Sequence, residues 1–271
     1  LFRLVGSEMC IRDRFYRVIR HIKALDSTIA LMGKQDNIYE KGNLSGLPFS
    51  FNEEVAEVFE DMIERSVPGY KTSQSIITLY AKNFYREDTN CYDIGCSLGA
   101  SSFSILQGAN RAKIIAIDKS AAMIDECERI FKNYENPNSL IFLNEDIMES
   151  DLQNASVVVV NYLIQFLGLD ERDILFKKIF NALIPNGILI LSEKVHYENK
   201  FENQRIINTH HLFKSANGYS DLEISGKRDS LEGILKTEYE EDHILRARKV
   251  GFTKVEKILS NLNFRTFVFS K

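Results

Sequence analysis

The sequence YDIGCSLGASS, from Tyr92 to Ser102, predicts a strand that ends at a glycine, a tight turn, and the start of a helix. Gly95 and Gly99 lack a Cβ, so the backbone at these positions can adopt a positive φ and approach a bound group closely. The first turn of the following helix leaves backbone N–H donors without partners. We therefore expect a nucleotide-like ligand to bind at this turn.

The segments around this turn alternate between apolar runs and helical periodicity. The runs IIAI (114–117), VVVV (157–160) and ILIL (188–191) are apolar at every position, which predicts strands covered on both faces in a mainly parallel sheet. A helix is expected from residue 51, with Ser50 and Glu53 in the relation of a capping box.

The C-terminal part of the chain predicts two additions to this sheet. Strands near 252–259 and 264–271 are separated by four residues, which favours an antiparallel hairpin. The polar segment near 195–250 is expected to form a helical cap over the ligand edge. The predicted fold is α/β, a doubly wound, mainly parallel sheet of seven strands.

Composition narrows the class of protein. The chain has 271 residues, of which 44% are hydrophobic and 27% charged, which is enough for one large domain. No apolar run approaches the roughly 20 residues that cross a bilayer. The cysteines form no C-x-x-C pair and no cluster of metal ligands, so we expect no metal and a reducing, cytoplasmic setting. They are Cys10, Cys91, Cys96 and Cys127.

Residues 1–31 differ from the rest of the chain. They carry six basic and three acidic residues, a net charge of +3, which leaves −7 for residues 32–271. The opening LFRLVGSEMCIRDR resembles translated sequencing-adapter sequence, and Met32 fits a true start. We expect residues 1–31 to be a non-native or disordered extension before the domain of residues 32–271. The alternative is a real basic extension that forms a marginal amphipathic helix.

Polar residues follow several predicted strands, where ligands of open α/β sheets bind. Asp118 ends KIIAID and suits the hydroxyls of a ribose, although it could instead cap the next helix. Asp146 suits an adenine amino group, with Ile147 offering a backbone N–H and an apolar wall, although a solvated loop acid fits too. Asn161 follows VVVV and can donate and accept, or can be a turn amide.

The turn itself would supply a backbone wall for the ligand from Gly95, Cys96 and Ser97. Cys96 is a conceivable nucleophile, but a catalytic thiolate needs a neighbouring base or cation, and nothing in the local sequence supplies one. We interpret it as a small wall residue.

The turn resembles motif I of S-adenosyl-L-methionine-dependent methyltransferases, and further blocks narrow the resemblance. With RSVPGY (65–70), HHLFKSANGYSDLEISGKR (210–228), IIAIDKS, NYLIQFL and LSEK, the chain resembles the carboxy-S-adenosyl-L-methionine synthase family over residues 32–271. That resemblance implies a class I methyltransferase-like fold.

The resemblance also implies an activity and partners. The family converts S-adenosyl-L-methionine and prephenate into carboxy-S-adenosyl-L-methionine and phenylpyruvate, through a methyl group that loses a proton and traps carbon dioxide. The product then serves a tRNA carboxymethyltransferase that modifies a wobble uridine. The family forms homodimers, for which the cap is the expected surface.

Matching the family residue by residue implies a set of site residues. Arg228 would bind the new carboxylate bidentately as the catalytic arginine, although most arginines are simply solvated. Lys119 often corresponds to asparagine in the family, so its backbone matters more than its side chain. His210 and His211 are interpreted as packed histidines rather than proton carriers. Glu193, Lys194 and Lys214 could line the pocket of the anionic substrate or simply cover the sheet edge, and none is assigned a catalytic role. The implied cofactor-contacting positions are Tyr70, Gly95, Cys96, Ser97, Asp118, Lys119, Asp146, Ile147, Asn161 and Arg228.

Two other functions remain open at this point. A conventional methyltransferase acting on a small molecule would keep the same cofactor site but would release S-adenosylhomocysteine. A non-catalytic tRNA-binding carrier of the modified cofactor is disfavoured by the net charge of −7, since nucleic-acid binders usually carry a basic patch. We expect no direct nucleic-acid or membrane binding.

Overall fold

The computed structural model describes residues 34–40, 48–134 and 139–271. Residues 35–271 form one unit, and the predicted extension 1–31 lies outside the described residues. The helices are α1 (Glu53–Ser66), α2 (Tyr70–Phe84), α3 (Ala100–Gly108), α4 (Ala121–Phe131), α5 (Leu169–Ala182), α6 (Lys200–Ala216), α7 (Asp221–Leu231) and α8 (Glu240–Val250). The strands are β1 (Asn90–Ile94), β2 (Lys113–Asp118), β3 (Leu140–Asn144), β4 (Ala155–Asn161), β5 (Leu183–His196), β6 (Glu238–Tyr239), β7 (Lys254–Asn261) and β8 (Phe264–Ser270).

The strands form the predicted doubly wound sheet. Within the described residues its order is β3-β2-β1-β4-β5-β8-β7, and the two-residue β6 pairs with the end of β5. The first five strands of this path are parallel, and β8 is antiparallel to both β5 and β7. The seven-stranded path and the C-terminal hairpin are confirmed, and β6 is a small addition to them. The order reverses direction between β1 and β4, which opens a crevice at their carboxyl ends.

Successive residues of the central strands pack on opposite faces of the sheet. Val158 and Val160 of β4 lie in the core beneath α5 and α8. Val157 and Val159 lie in the core formed with α2 and α3. The uninterrupted VVVV run therefore reflects helices on both faces, as the sequence predicted.

The start of α1 differs from the predicted capping box. The N-cap is Asn52, whose side-chain oxygen accepts the N–H of Val55 at 3.1 Å. Ser50 therefore does not cap the helix, and Glu53 is its first residue. Asparagine is as good an N-cap as serine, and at position 52 its side-chain oxygen reaches the N–H of Val55.

The segment predicted as a cap near 195–250 contains α6, α7, β6 and α8. Helix α6 packs against α1 and α7. Helix α8 instead packs against α5 in the layer beneath the sheet, where Arg246 forms an ion pair with Asp173 at 2.8 Å. Within residues 34–40, 48–134 and 139–271, no helix combines the length and the apolar character that crossing a membrane requires.

Candidate functional site

The glycine turn after β1 is fixed by backbone hydrogen bonds. Gly95 has φ +72°, and the N–H groups of Gly95 and Cys96 both donate to the carbonyl of Ile117, at 2.8 and 3.1 Å. A Cβ on Gly95 would lie 3.0 Å from a methyl carbon of Leu163. Gly99, with φ +78°, immediately precedes α3. The turn thus needs glycine at Gly95 for both conformation and space.

Asp118 is held beside this turn at the end of β2. One of its carboxylate oxygens accepts the N–H of Ser97 and the other accepts the N–H of Ser120, each at 2.9 Å. Burial raises the pKa of Asp118. The helix-cap alternative is wrong, because Ser120 is the N-cap of α4 and accepts the N–H of Met123 at 3.3 Å. Each oxygen of Asp118 keeps a lone pair that can accept a ligand hydroxyl.

Two buried acceptors without donors face the start of α3. Asp93 accepts the hydroxyl of Ser102 at 2.6 Å through Oδ2, and the Asn161 amide donates to Ser101 Oγ at 3.3 Å. Among the described residues, neither Asp93 Oδ1 nor Asn161 Oδ1 has a hydrogen-bond partner. Unpaired buried acceptors are costly. A ligand ammonium group is a donor that suits such acceptors.

Asp93 is therefore a functional candidate that the predicted set of site residues missed. Burial raises its pKa to about 7, so its charge responds to what binds beside it near neutral pH. The available signal was its position two residues before Gly95, at the end of an otherwise apolar strand.

Asp146 and Ile147 lie next to Asp118 at the same edge of the sheet. The N–H of Glu145 donates to the Asp118 carbonyl at 3.1 Å, which joins the loop after β3 to β2. Asp146 is exposed and accepts the N–H of Met148 at 2.9 Å, whereas Ile147 is buried. The structure thus brings these predicted residues together.

Tyr70 and Cys96 are neutral members of the site. Tyr70 begins α2, and its ring lies 6.5 Å from the ring of Tyr162. Burial raises the pKa of Tyr70, so its phenol is a hydrogen-bond donor. A hydrogen bond with Cys127, together with burial, raises the pKa of the Cys96 thiol. A protonated thiol is a poor nucleophile, which supports the interpretation of Cys96 as a wall residue.

Arg228 and Lys119 are not joined to this edge by any hydrogen bond or ion pair that the structure describes. The Arg228 side chain is 63% exposed and pairs with Asp229 at 3.0 Å. Lys119 is also exposed. The carboxylate-binding role of Arg228 stays a prediction.

His210 is packed between structural elements. Its Nε2 donates to the Ser66 carbonyl at 2.8 Å, and its ring lies 5.1 Å from that of Phe264. Burial lowers the pKa of His210 to about 3, so the ring is neutral. This geometry supports the interpretation of His210 as a packed histidine. Within the described ranges, no group of three His, Cys, Asp or Glu side chains is arranged to hold a metal.

Glu193 at the end of β5 supports the loop that follows β4. Its carboxylate accepts the N–H groups of Ile164 and Gln165, at 2.7 and 3.3 Å. Burial raises its pKa to about 8. Because this loop carries Leu163, which packs on Gly95, Glu193 positions one wall of the site.

Comparison with known proteins places the chain among enzymes. Residues 92–187 match a family model described as a methyltransferase domain. The chain is 41% identical over 225 residues to the carboxy-S-adenosyl-L-methionine synthase of Pasteurella multocida, a match that covers 82% of this chain and 93% of that protein. It is 43% identical over 218 residues to the enzyme of the same name from Vibrio parahaemolyticus, covering 80% of this chain and 89% of that protein.

Solved structures share the fold at low sequence identity. The S-adenosylmethionine-dependent methyltransferase SibL superposes with a TM-score of 0.55 at 13% identity, covering 96% of this chain and 76% of its own. The magnesium protoporphyrin IX methyltransferase of Synechocystis, solved with S-adenosylhomocysteine, gives a TM-score of 0.53 at 14% identity, covering 74% of this chain and 82% of its own. These likenesses confirm a class I methyltransferase fold.

Proposed function

The chain belongs to the carboxy-S-adenosyl-L-methionine synthase family, and we propose that it converts S-adenosyl-L-methionine and prephenate into carboxy-S-adenosyl-L-methionine and phenylpyruvate. The observation that carries the proposal is identity above 40% over nearly the whole length of these relatives. The geometry at the carboxyl ends of β1, β2 and β4 supports it. We name this region the strand-end site and define it by Asp93, Gly95, Asp118 and Asn161.

The strand-end site has a suitable group for each part of S-adenosyl-L-methionine. Asp118 would accept the ribose hydroxyls, and Asp146 with Ile147 would contact the adenine. Asp93 and Asn161 have free oxygens for the ammonium group of the methionyl part. The glycine turn lets the backbone approach the ligand, because Gly95 has no side chain.

The proposed chemistry uses the substrate methyl group as a nucleophile. The methyl C–H bond next to the sulfonium breaks, and the carbanion attacks carbon dioxide, so that a C–C bond forms. Prephenate supplies the carbon dioxide by losing its ring carboxylate and, with it, the ring hydroxyl, which leaves phenylpyruvate. The departing hydroxide and the methyl proton together make water. We propose that Arg228 binds the carboxylate of the product.

The wider setting is also a proposal. We propose that the product supplies the carboxymethyl donor for a tRNA wobble uridine, and that the enzyme works in the cytoplasm as a homodimer without binding nucleic acid itself. Exposed apolar side chains on α6, Phe201 at 82% and Leu212 at 70%, support a partner surface on that helix. The negative charge of residues 32–271 supports the absence of nucleic-acid binding.

The proposal is tested with purified protein, S-adenosyl-L-methionine and prephenate whose ring carboxylate carries an isotopic label. Mass spectrometry should detect a nucleoside heavier than the substrate by one labelled carbon dioxide unit, with phenylpyruvate formed in equal amount. Formation of phenylpyruvate without transfer of the label would contradict the proposal. Accumulation of S-adenosylhomocysteine instead would indicate a conventional methyltransferase.

A further inference from the structure

Three lysines lie around His210 on the cap side of the sheet. Lys194 belongs to β5, Lys214 to the last turn of α6, and Lys227 to α7. We name Lys194, Lys214 and Lys227 the lysine cluster. Lys227 is buried, whereas Lys194 and Lys214 are half-buried. The three ammonium groups are therefore at least partly removed from solvent.

Hydrogen bonds and register place the cluster around one point. Lys227 Nζ lies 3.5 Å from Ser66 Oγ, and the Ser66 carbonyl accepts from His210 Nε2 at 2.8 Å. Lys194 is the register partner of Phe264, whose ring lies 5.1 Å from that of His210. Lys194 and Lys214 both act electrostatically on His210, so lysines of β5, α6 and α7 lie near Ser66 and His210.

Aromatic rings connect this point with the strand-end site. The ring of Phe264 lies 5.9 Å from that of Tyr162, and the Tyr162 ring lies 6.5 Å from that of Tyr70. A short row of packed rings therefore separates the lysine cluster from the strand-end site.

None of the cluster's ammonium groups forms an ion pair in the part of the chain that the structure describes. Asp36 attracts Lys214 and Lys227, but its carboxylate already accepts a hydrogen bond from Tyr219. Burial lowers the pKa of Lys214 to about 7, and repulsion from Lys227 and Lys194 acts in the same direction. Burial also lowers the pKa of Lys227 to about 8.

The same chain pairs its buried cations elsewhere. Beneath the sheet, Arg172 lies 2.7 Å from Glu238, and Arg246 lies 2.6 Å from Glu238 and 2.8 Å from Asp173. These buried arginines are therefore paired with carboxylates. Lysines are rarely buried without such partners.

We propose that Lys194, Lys214 and Lys227 bind the carboxylates of a small organic dianion, which is the co-substrate of the reaction. The inference rests on the proposed function, in which that dianion is prephenate. The cluster is distinct from Arg228, which is exposed and pairs with Asp229.

Binding of the dianion should be coupled to proton uptake. An anion beside a lysine of lowered pKa favours the ammonium form, so the complex takes up protons near pH 7 to 8. Binding should weaken as the pH rises above that range. The other charged and titratable groups that interact with the cluster are Asp36, Arg65, His210 and His211, and Arg228 acts on His211.

The test replaces lysines by methionine, which keeps the apolar stem and removes the charge. The variants are Lys194→Met, Lys214→Met and Lys227→Met. Lys200→Met is the matched control, because Lys200 lies on α6 with Lys214 but is exposed. Each cluster variant should raise the KM for prephenate about tenfold to hundredfold, since each loses a charge-assisted contact. The affinity for S-adenosyl-L-methionine and the kinetics of Lys200→Met should stay unchanged.

Thermal unfolding should verify that the variants fold. Removing an unpaired, partly buried charge should leave the melting temperature unchanged or raise it. If Lys227→Met does not fold, the two variants at half-buried positions still decide the question. An unchanged KM for prephenate in folded Lys194→Met and Lys214→Met would overturn the inference.

Direct binding separates this inference from the proposed reaction. Prephenate is titrated calorimetrically into protein saturated with S-adenosylhomocysteine, which has no methyl group to react, in buffers of different ionisation enthalpy. Wild-type binding with proton uptake, reduced in Lys214→Met, supports the cluster even if no carboxylated product forms. Carboxylated product made equally well by all variants refutes the cluster and leaves the proposed function intact. No prephenate binding by the wild type also refutes the cluster.

Discussion

The strand-end site and the lysine cluster handle charge in opposite ways. At the strand-end site the chain supplies its own donors, because Asp118 accepts two backbone N–H groups and Asp93 accepts the hydroxyl of Ser102. Donors from the chain thus organise most of the strand-end site, where Asp93 Oδ1 and Asn161 Oδ1 alone among its described side-chain oxygens lack a donor. At the cluster, no described acid forms an ion pair with Lys194 or Lys214.

This difference suggests that each region binds a different part of the ligands. The strand-end site offers fixed backbone groups, a neutral amide and two carboxylates. Such groups suit a nucleoside that carries an ammonium group. The lysine cluster fits a part that brings negative charge. The rings of Tyr162 and Phe264 lie between the two regions.

Gly95→Ala should have the largest effect and tests how strictly the strand-end site is organised. A methyl group at φ +72° is strained and would contact Leu163, so affinity for S-adenosyl-L-methionine should fall about hundredfold or more. Calorimetric titration measures this. Gly233→Ala is the matched control, because Gly233 has φ +75° but no atom within 4 Å of the position that a Cβ would occupy.

The two glycine variants should share the cost of the left-handed conformation, about 1 to 2 kcal/mol in the free energy of unfolding. Only Gly95→Ala should lose ligand affinity. Equal affinities for S-adenosyl-L-methionine in both variants would mean that the turn tolerates a side chain, and the contrast between the two regions would weaken.

Arg228→Ala should have the next largest effect and tests whether this arginine acts with the cap side of the molecule. Its pair with Asp229 is exposed and worth little, so the side chain can turn toward a ligand at small cost. The variant should bind S-adenosyl-L-methionine normally but lose about tenfold to hundredfold in affinity for carboxy-S-adenosyl-L-methionine.

Arg205→Ala is the control for this change, because Arg205 is another exposed arginine, on α6, paired with Glu202 at 3.9 Å. Calorimetry with both nucleosides gives the comparison. If the wild type binds both nucleosides equally well, Arg228 makes no selective contact with the added carboxylate.

The strand-end site was largely predictable from the sequence because its parts are local. A strand end, a glycine turn and a helix start lie within eleven residues, and parallel strands bring Asp118 and Asp146 to the same edge. The free oxygen of Asp93 was not predictable, since it depends on which donors surround the carboxylate. The first helix shows the same limit, because Ser50 and Asn52 are equally good caps in isolation.

The convergence of Lys227 with Lys194 and Lys214 could not be predicted from sequence patterns. The members of the cluster come from a strand and two helices, and Ser66 at its centre lies far away along the chain. From the sequence, Lys194 and Lys214 fit the lining of an anionic-substrate pocket and equally a cover over the sheet edge. The packing of α6 against α1 and α7 brings Lys214 and Lys227 together, and no described acid forms an ion pair with them.

Asp93→Asn should have the smallest effect. It tests the role of Asp93, which was not among the predicted site residues. Burial raises the pKa of Asp93 to about 7 in the folded protein. Its raised pKa means that the folded state loses stability as the pH rises from the unfolded value toward 7, because the buried carboxylate becomes charged. A ligand ammonium group reverses this penalty, so binding of S-adenosyl-L-methionine should strengthen as the pH rises through 7.

The expected gain is about tenfold between roughly pH 6 and pH 8, measured by calorimetry. Asparagine keeps an acceptor for Ser102 but cannot ionise, so the gain should disappear in the variant. Glu193 and Lys214 also have shifted pKa values in this range, but both remain in the variant. The difference between the two pH profiles therefore belongs to Asp93 alone. Parallel profiles would show that the ammonium group binds elsewhere, and that the unpaired oxygen of Asp93 serves another part of the ligand.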